Sequence, residues 1–467
     1  MEKMIIWLTA IGAFLRLYRL EASLQFLGDQ GRDALILRNM LVNYDLPFIG
    51  PVTSVGSFFL GPLYYYLMAP FLWLFKFNPA GPAYATAIIG ILTIPALYLV
   101  TKKMLSASAA KLAALFYTFG FIPIIETRGA WNPNPMPLAA LGIIYGFYLT
   151  NYKNQPKGLL LAAASLGVAL QLHYMIVFLA PFILWQLFLA RRHVRELVPA
   201  AGIFLLFNLP LLLFEIKNNW LNVRGLLEFL GKHQYGSLDW WQVIKNTIGR
   251  SEQAIGMVLG FGRDFSILRT WLTRFFLLLL LAFFKQVRFL GIYLLATIVM
   301  LAVYQENIYP HYLGFLFPAV FILMAAILNR LPQPFLPLFM LLFLVYNLPQ
   351  IWTTLHSNGN LQSVRTTAQF IKNDIDQHGY QNYNLALLDG TRDYPAHSFR
   401  YFLEVFGGRP LSQAEYPQTQ VLYVISPYSQ ANVLVEQIWE IESVKPAVLT
   451  ASWEFATSEN IYKIEKQ

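Results

Sequence analysis

Phe26-Leu27-Gly28-Asp29-Gln30-Gly31-Arg32-Asp33 follows directly on an apolar run, Met4–Leu20, and is followed in turn by Gly61-Pro62-Leu63-Tyr64-Tyr65-Tyr66-Leu67. Two carboxylates and an arginine therefore stand at the lip of the first membrane span. Ionisable groups at that depth are costly to desolvate unless paired or used, which makes the stretch a candidate site. If Gly31–Asn43 is helical, Asp29 sits at or near its start, where the helix dipole favours a carboxylate. Two readings compete. In the structural one, Asp29 caps the helix and Asp33 pairs with Arg32 or Arg38. In the functional one, Asp29 or Asp33 is a general base or a metal ligand, and Gly28 and Gly31 let a ligand approach the backbone.

The rest of the chain sets the class. Of 467 residues, 57% are hydrophobic and only 13% charged, against about 25% charged in an ordinary soluble chain. Apolar stretches recur at Tyr84–Val100, Leu112–Ile125, Pro137–Thr150, Leu159–Leu172, Ile176–Ala190, Leu197–Phe214, Leu272–Phe284, Phe289–Val303, Leu313–Leu328 and Phe335–Leu348. With the first run they predict about 11 transmembrane helices. Arg16 and Arg19 follow the first run in place of a small-residue cleavage site, so it reads as a retained anchor. The net charge of +9 fits the positive-inside rule better than nucleic-acid binding. Lys102-Lys103, Lys153 with Lys157, Arg191-Arg192 with Arg195, Lys285 with Arg288, and Arg330 fall in alternate connections. A cytoplasmic N-terminus puts all of these inside, and residues 21–80, 126–135, 172–175, 215–270 and 304–312 outside. Arg16 and Arg19 are then expected to snorkel to the outer headgroups. Cysteine is absent, so neither a disulfide nor a thiolate metal site exists.

Pro62–Phe75 is apolar but short and broken by Gly61-Pro62, Pro70 and Asn78-Pro79. It reads as a juxtamembrane or re-entrant helix of the first outer loop. The last span ends near Pro349, and residues 355–467 are polar. Strand-like runs at Tyr383–Leu388 and Val421–Ile425 alternate there with helix-like runs at Val364–Ile375, Ser398–Phe406 and Asn432–Ile441. That alternation predicts a small extracytoplasmic α/β domain behind an all-α membrane domain of residues 1–350.

Further constellations lie on the outer side. Glu126-Thr127-Arg128-Gly129-Ala130-Trp131-Asn132-Pro133-Asn134 ends the third span. Arg128 there suits a bidentate phosphate grip, or else is a snorkelling arginine beside an Asn-Pro turn. Gln171-Leu172-His173-Tyr174 offers one histidine at an apolar helix end, more often a structural residue than a catalytic one. Tyr304-Gln305-Glu306-Asn307-Ile308-Tyr309-Pro310-His311-Tyr312 offers His311 and Tyr312 to a phosphate or sugar, against an interfacial aromatic anchor. The 215–270 loop carries Arg250 and Arg263 among several basic and aromatic residues, so part of it is expected on the membrane surface. No Walker loop, GxGxxG, HExxH or GxSxG pattern is present, which leaves soluble nucleotide chemistry without support. A reaction on the outer face needs substrates delivered there, and a membrane-embedded polyprenyl phosphate carrying a sugar meets that need.

With these residues in view, the chain resembles the GT-C superfamily of membrane glycosyltransferases. Within it, the chain resembles the family 39 proteins, which include protein O-mannosyltransferases and the lipid A aminoarabinose transferase. The resemblance covers about residues 1–350 and is strongest over 20–130. Asp29-Gln30 stands where that family has an acidic pair, with the first acid kept. Gly61-Pro62-Leu63 with Tyr64 and Tyr65 stands at its Pro-Pro-Leu element, and Arg128 with Asn132 or Asn134 at its Arg and Asp. The resemblance implies inverting transfer of a sugar from a polyprenyl-phosphate donor to a lipid, protein or glycan acceptor. Asp29, with Asp33 next, would deprotonate or orient the acceptor. Arg32, Arg128, Arg250, Arg263 and His311 would hold the donor phosphate. Gln30, Tyr64, Tyr65, Glu126, Asn132, Asn134, His173, Tyr174 and Tyr312 would line the substrate. Some relatives use a divalent metal, and Gln30 in place of the second acid weakens that case here. A lipid or sugar transporter or flippase is the competing class, but no repeated halves are evident and the acids cluster at span ends rather than at the midplane. A receptor with an outer binding domain would need no acid at a span lip.

Overall fold

The computed structural model describes residues 3–53, 58–232, 240–260, 266–304, 306–332, 334–454 and 460–467. Contacts divide the chain into two compact units. One comprises Met1–Leu20, Leu46–Phe71 and Pro82–Ser357; the other comprises Glu21–Asp45, Leu72–Gly81 and Asn358–Gln467. This differs from the linear partition at 350/355, because two segments of the first loop join the C-terminal residues.

The first unit is helical, and every described apolar run read as a span lies largely in helix. Among the described residues, five helical stretches are long and apolar enough to cross a membrane: Ala80–Met104, Tyr174–Phe207, Phe284–Val303, Pro310–Leu328 and Phe335–His378. Several of the other expected spans are shorter helices. Leu112–Ile125 is divided between Ala107–Phe119 and Phe121–Glu126, because Gly120 takes an extended conformation (φ −70°, ψ 124°). Phe317–Leu328 buries all 12 of its residues and forms the core of the unit. Phe335–His356, by contrast, exposes Leu338, Leu341, Val345, Leu348 and Trp352. That stripe at three- and four-residue spacing is an apolar face turned outward, as a lipid-facing helix requires. The protein is an integral membrane protein.

The arginines at the end of the Lys3–Leu17 helix correct one expectation. Arg16 does not snorkel; it is fully buried. Its Nε donates to Thr127 Oγ1 at 3.0 Å, Nη1 to Gly12 O at 3.2 Å and Nη2 to Tyr117 O at 3.4 Å. A buried guanidinium is tolerable only when its donors are satisfied in this way. Arg128 then donates to Leu15 O, Arg16 O and Tyr18 O at 3.0–3.1 Å. It satisfies the carbonyls left open where the first helix ends.

The second unit is the expected α/β domain with two further strands. Its sheet runs in the order β1 (Tyr383–Leu387), β2 (Val421–Ser426), β4 (Asn460–Lys466), β3 (Ala447–Glu454). The first pair is parallel and the rest antiparallel. The helix His397–Val405 lies in the β1–β2 crossover that a parallel pair requires. The helix Leu361–His378 buries Leu361, Val364, Ala368, Ile371 and Ile375 and stops at Gly379, whose φ of 68° suits the left-handed cap.

The first-loop segments are stitched to this domain. Asn360 Oδ1 accepts the Phe26 N–H at 2.6 Å, Arg38 donates to Glu404 Oε2 at 3.1 Å, and the Tyr401 hydroxyl donates to Phe77 O at 2.6 Å. Burial raises the Glu404 carboxyl above its ordinary pKa, against the opposing pull of Arg38 and Arg400. The helix Gly28–Val42 begins three residues before its expected start and packs on His397–Val405. A Cβ on Gly28 would stand 2.5 Å from the Asp393 carboxyl carbon, and one on Gly31 would overlap the Ser398 backbone. These glycines admit a neighbouring helix, where the sequence suggested a ligand.

Candidate functional site

In the second unit the lip residues form one ion-paired group. Arg32 reaches Asp29 Oδ1 at 2.9 Å and Asp33 Oδ1 at 3.0 Å. The two carboxylates differ sharply in setting: the Asp29 side chain is 66% exposed and that of Asp33 only 4%. Asp29 lies in the first turn but is not the cap, because the helix starts after Leu27. Gln30 does the capping, its Oε1 accepting the Leu27 N–H at 2.9 Å. Asp29 is therefore free of the structural duty that competed for it, and Asp33 takes the structural pairing with Arg32.

In the first unit three stretches distant in sequence converge. The ring of His173 lies 4.6 Å from that of Tyr174 and 4.8 Å from Tyr312, and His311 lies 4.7 Å from Tyr312 and 4.8 Å from Trp131. The Tyr174 and Tyr304 hydroxyls are 3.3 Å apart. His173 Nδ1 accepts the Met175 N–H at 3.3 Å, which leaves the ring proton of a neutral imidazole on Nε2. Trp131 Nε1 is buried with no hydrogen-bond partner among the described residues. So is Asn134 Oδ1, although its amide nitrogen donates to Gly129 O at 2.7 Å. Asn132 Nδ2 donates to Leu172 O at 2.6 Å and so joins the 126–134 loop to the helix end before His173. Glu126 is partly buried, with no hydrogen bond or ion pair among the described residues. Tyr64 and Tyr65 are buried in the helix Leu63–Leu74. At the start of that helix, Gln171 Oε1 accepts the Leu63 N–H at 3.1 Å, where Gly61 leaves room for the amide.

Two of the expected phosphate ligands donate to main-chain carbonyls. Arg128 holds the end of the first helix. Arg250 donates to Tyr304 O at 2.8 Å, Glu306 O at 3.3 Å and Gln253 Oε1 at 3.0 Å. Arg263 lies outside the described residues. No group of three or more His, Asp or Glu side chains placed to hold a metal occurs among the described residues. The sequence reading passed over Tyr304 and Tyr309, which sit in a quoted stretch, and over Asp393 and His397. An Asp and a His four residues apart at a helix start are a recognisable signal for the last pair.

Residues 60–214 match the family model described as dolichyl-phosphate-mannose-protein mannosyltransferase. No curated protein sequence matches the chain. Among solved structures it is similar to ArnT from Cupriavidus metallidurans bound to undecaprenyl phosphate, at 13% identity and a TM-score of 0.61, covering 98% of this chain and 97% of that one. The apo state of the same protein gives 14% identity, a TM-score of 0.61 and the same coverage. The oligosaccharyltransferase of Archaeoglobus fulgidus in complex with zinc and sulfate gives 14% identity and a TM-score of 0.58, over 91% of this chain and 68% of that one. The fold is the GT-C fold.

Proposed function

We propose that this chain, a membrane glycosyltransferase of the GT-C superfamily, transfers a sugar from a polyprenyl-phosphate donor to an acceptor hydroxyl or phosphate on the extracytoplasmic face, with inversion. The observation that carries the acceptor side is the exposed Asp29 carboxylate, held at 2.9 Å by Arg32 and relieved of capping by Gln30. A carboxylate so fixed can orient or deprotonate an acceptor, which inversion by direct displacement needs. On the donor side, the breaking bond leaves negative charge on the lipid phosphate, which preorganised donors stabilise. His311, the Tyr174 and Tyr304 hydroxyls and Trp131 Nε1, which has no partner among the described residues, supply such donors within one cluster. Arg250 supports it by fixing the Tyr304 carbonyl. The similarity in fold to a protein crystallised with undecaprenyl phosphate supports this class of donor. In this proposal the N-terminus lies in the cytoplasm and residues 355–467 outside the cell membrane.

The test is mass spectrometry of lipid-linked sugars and surface glycans in cells with and without the gene. Loss of the gene is expected to remove one surface sugar and accumulate its polyprenyl-phosphate form. An unchanged glycan profile with altered distribution of a lipid across the bilayer would replace the enzyme with a flippase.

A further inference from the structure

At the carboxyl ends of β1 and β2 lies a group of side chains that the reading above leaves unused. Ligands of open α/β sheets gather at this edge of the parallel strands. The connection leaving β1 is tightly wound: Gly390, Arg392 and Ala396 have φ of 85°, 66° and 56°. Non-glycine residues persist in that region only where the surroundings demand it, and such strain clusters at functional sites. The winding delivers Asp393 to His397. Asp393 Oδ2 accepts the His397 backbone N–H at 3.0 Å, and Oδ1 is hydrogen-bonded to His397 Nδ1. The carboxylate side chain is 10% exposed and the imidazole 29%. Among the described residues no hydrogen bond reaches Nε2. An imidazole fixed by a carboxylate at one nitrogen and open at the other is set up to take a proton.

A second, independent observation brings this pair to the acceptor side. Gly28 lies against the Asp393 carboxyl and Gly31 against the His397–Ser398 backbone. Both contacts belong to the first turn of the Gly28–Val42 helix, the turn that carries Asp29. The dyad and Asp29 are thus parts of one assembly within the second unit. Asp29 and Asp33 both have carboxylate oxygens engaged by Arg32, whereas Nε2 is unengaged.

We propose that His397, oriented by Asp393, is the proton acceptor of the transfer, while Asp29, held by Arg32, orients the acceptor. This rests on the glycosyltransferase reading. The acceptor O–H proton passes to His397 Nε2, and the acceptor oxygen bonds to the anomeric carbon. The bond from that carbon to the phosphate oxygen breaks, and its electron pair leaves with the polyprenyl phosphate. Asp393 stabilises the imidazolium, which returns its proton to water. Asp393 is the charged group bonded to it, and the packed Gly28–Val42 helix carries Asp29, Arg32 and Asp33 near its start.

The competing account is that Asp393 merely caps the His397–Val405 helix and His397 completes the cap. His397→Asn separates the two, since its amide nitrogen replaces the Nδ1 donor but offers nothing at Nε2. The full-length protein in lipid nanodiscs would be given undecaprenyl-phosphate-linked mannose and aminoarabinose with membrane extract as acceptor. Release of undecaprenyl phosphate would be followed as a function of pH. Wild type is expected to lose rate on the acid side. His397→Asn should fold, turn over at least about 100-fold more slowly, and lose that acid limb, whereas Asp29→Asn should be slow but keep it. His397→Gln is the second variant. If either variant folds and works within about twofold of wild type, or keeps the limb, the inference fails and the glycosyltransferase reading stands. If both variants unfold, the pair is structural and the inference fails. If wild type releases no undecaprenyl phosphate from either donor while cells show no change in lipid-linked sugars, the functional reading fails and takes the inference with it.

Discussion

Asp29→Asn and Asp33→Asn remove neighbouring carboxylates from one arginine, and the structure assigns them opposite consequences. The Asp29 side chain is 66% exposed, and its pair with Arg32 at 2.9 Å is an i,i+3 surface contact. Such pairs are worth about 0–1 kcal/mol, and the amide oxygen of Asn can still accept from Arg32, so the loss of stability should be at the low end. If the carboxylate orients or deprotonates the acceptor, turnover should fall by about 10²–10⁴-fold, about 3–5 kcal/mol of transition-state stabilisation. The Asp33 side chain is 4% exposed and sits 3.0 Å from Arg32. Breaking a buried pair costs up to about 3–5 kcal/mol, so Asp33→Asn should lower the unfolding temperature first and activity through it. Both variants would be purified in detergent, melted by intrinsic fluorescence, and assayed for release of undecaprenyl phosphate. An Asp29→Asn protein that melts and turns over like wild type would refute the catalytic role. One that unfolds while Asp33→Asn stays intact would refute the argument from exposure.

Reporter fusions after residues 103, 192 and 467 should give cytoplasmic signals at the first two and an outward signal at the last if Lys102-Lys103 and Arg191-Arg192 follow the positive-inside rule; the reverse pattern would overturn the proposed topology. Arg250→Gln removes the donor that holds Tyr304 O at 2.8 Å, and should raise the donor KM more than it lowers kcat; unchanged kinetics would remove that loop from the site. Gly31→Ala places a Cβ in the Ser398 backbone and should cost about 1–3 kcal/mol, read as a fall in melting temperature; an unshifted melt would mean that the helix contact yields freely. Glu404 has its folded pKa raised by burial. Its contribution to stability is therefore full below the unfolded carboxylate pKa and is lost as pH rises through the folded value. Glu404→Gln should flatten the dependence of melting temperature on pH above the ordinary carboxylate range; an unaltered slope would assign that dependence to other groups.

What was legible in the sequence follows from how local each cause is. Lipid-length hydrophobicity is written residue by residue, so the helical runs were readable. The break at Gly120 depends on packing and was not. Tyr383–Leu387 and Val421–Ser426 are fully buried strands and read as apolar runs. Ala447–Glu454 alternates half-buried with exposed residues and carries Thr, Ser and Glu, so it left too weak a signal. The residue types of 126–134, 171–174 and 304–312 marked them as candidates one at a time, while their meeting is a tertiary fact with no local signature. The same holds for Gly28 and Gly31. Each announces a close approach, but nothing near them in the chain says that the partner is residues 393–398 and not a ligand.

The arginines show how this chain handles positive charge. Read singly, Arg128 and Arg250 looked like phosphate clamps because an outer-face arginine with a bidentate fork is the natural one. Their forks hold main-chain carbonyls of the first helix end and of Tyr304 and Glu306, and Arg16 does the same deeper in the unit. A phosphate meeting the His173–Tyr174–Tyr304–His311–Tyr312 cluster would therefore be gripped chiefly by neutral donors. Trp131 Nε1 has no other partner among the described residues, and a neutral His173 carries its ring proton on Nε2. Such donors suit a leaving group whose charge must be stabilised as it forms and then released: a direct salt bridge would bind donor and departing lipid phosphate alike, whereas hydrogen bonds from fixed, partly dry groups strengthen as charge develops on the oxygen. Arg250, which fixes the backbone of Tyr304, serves the same end, because preorganisation is what makes neutral donors effective.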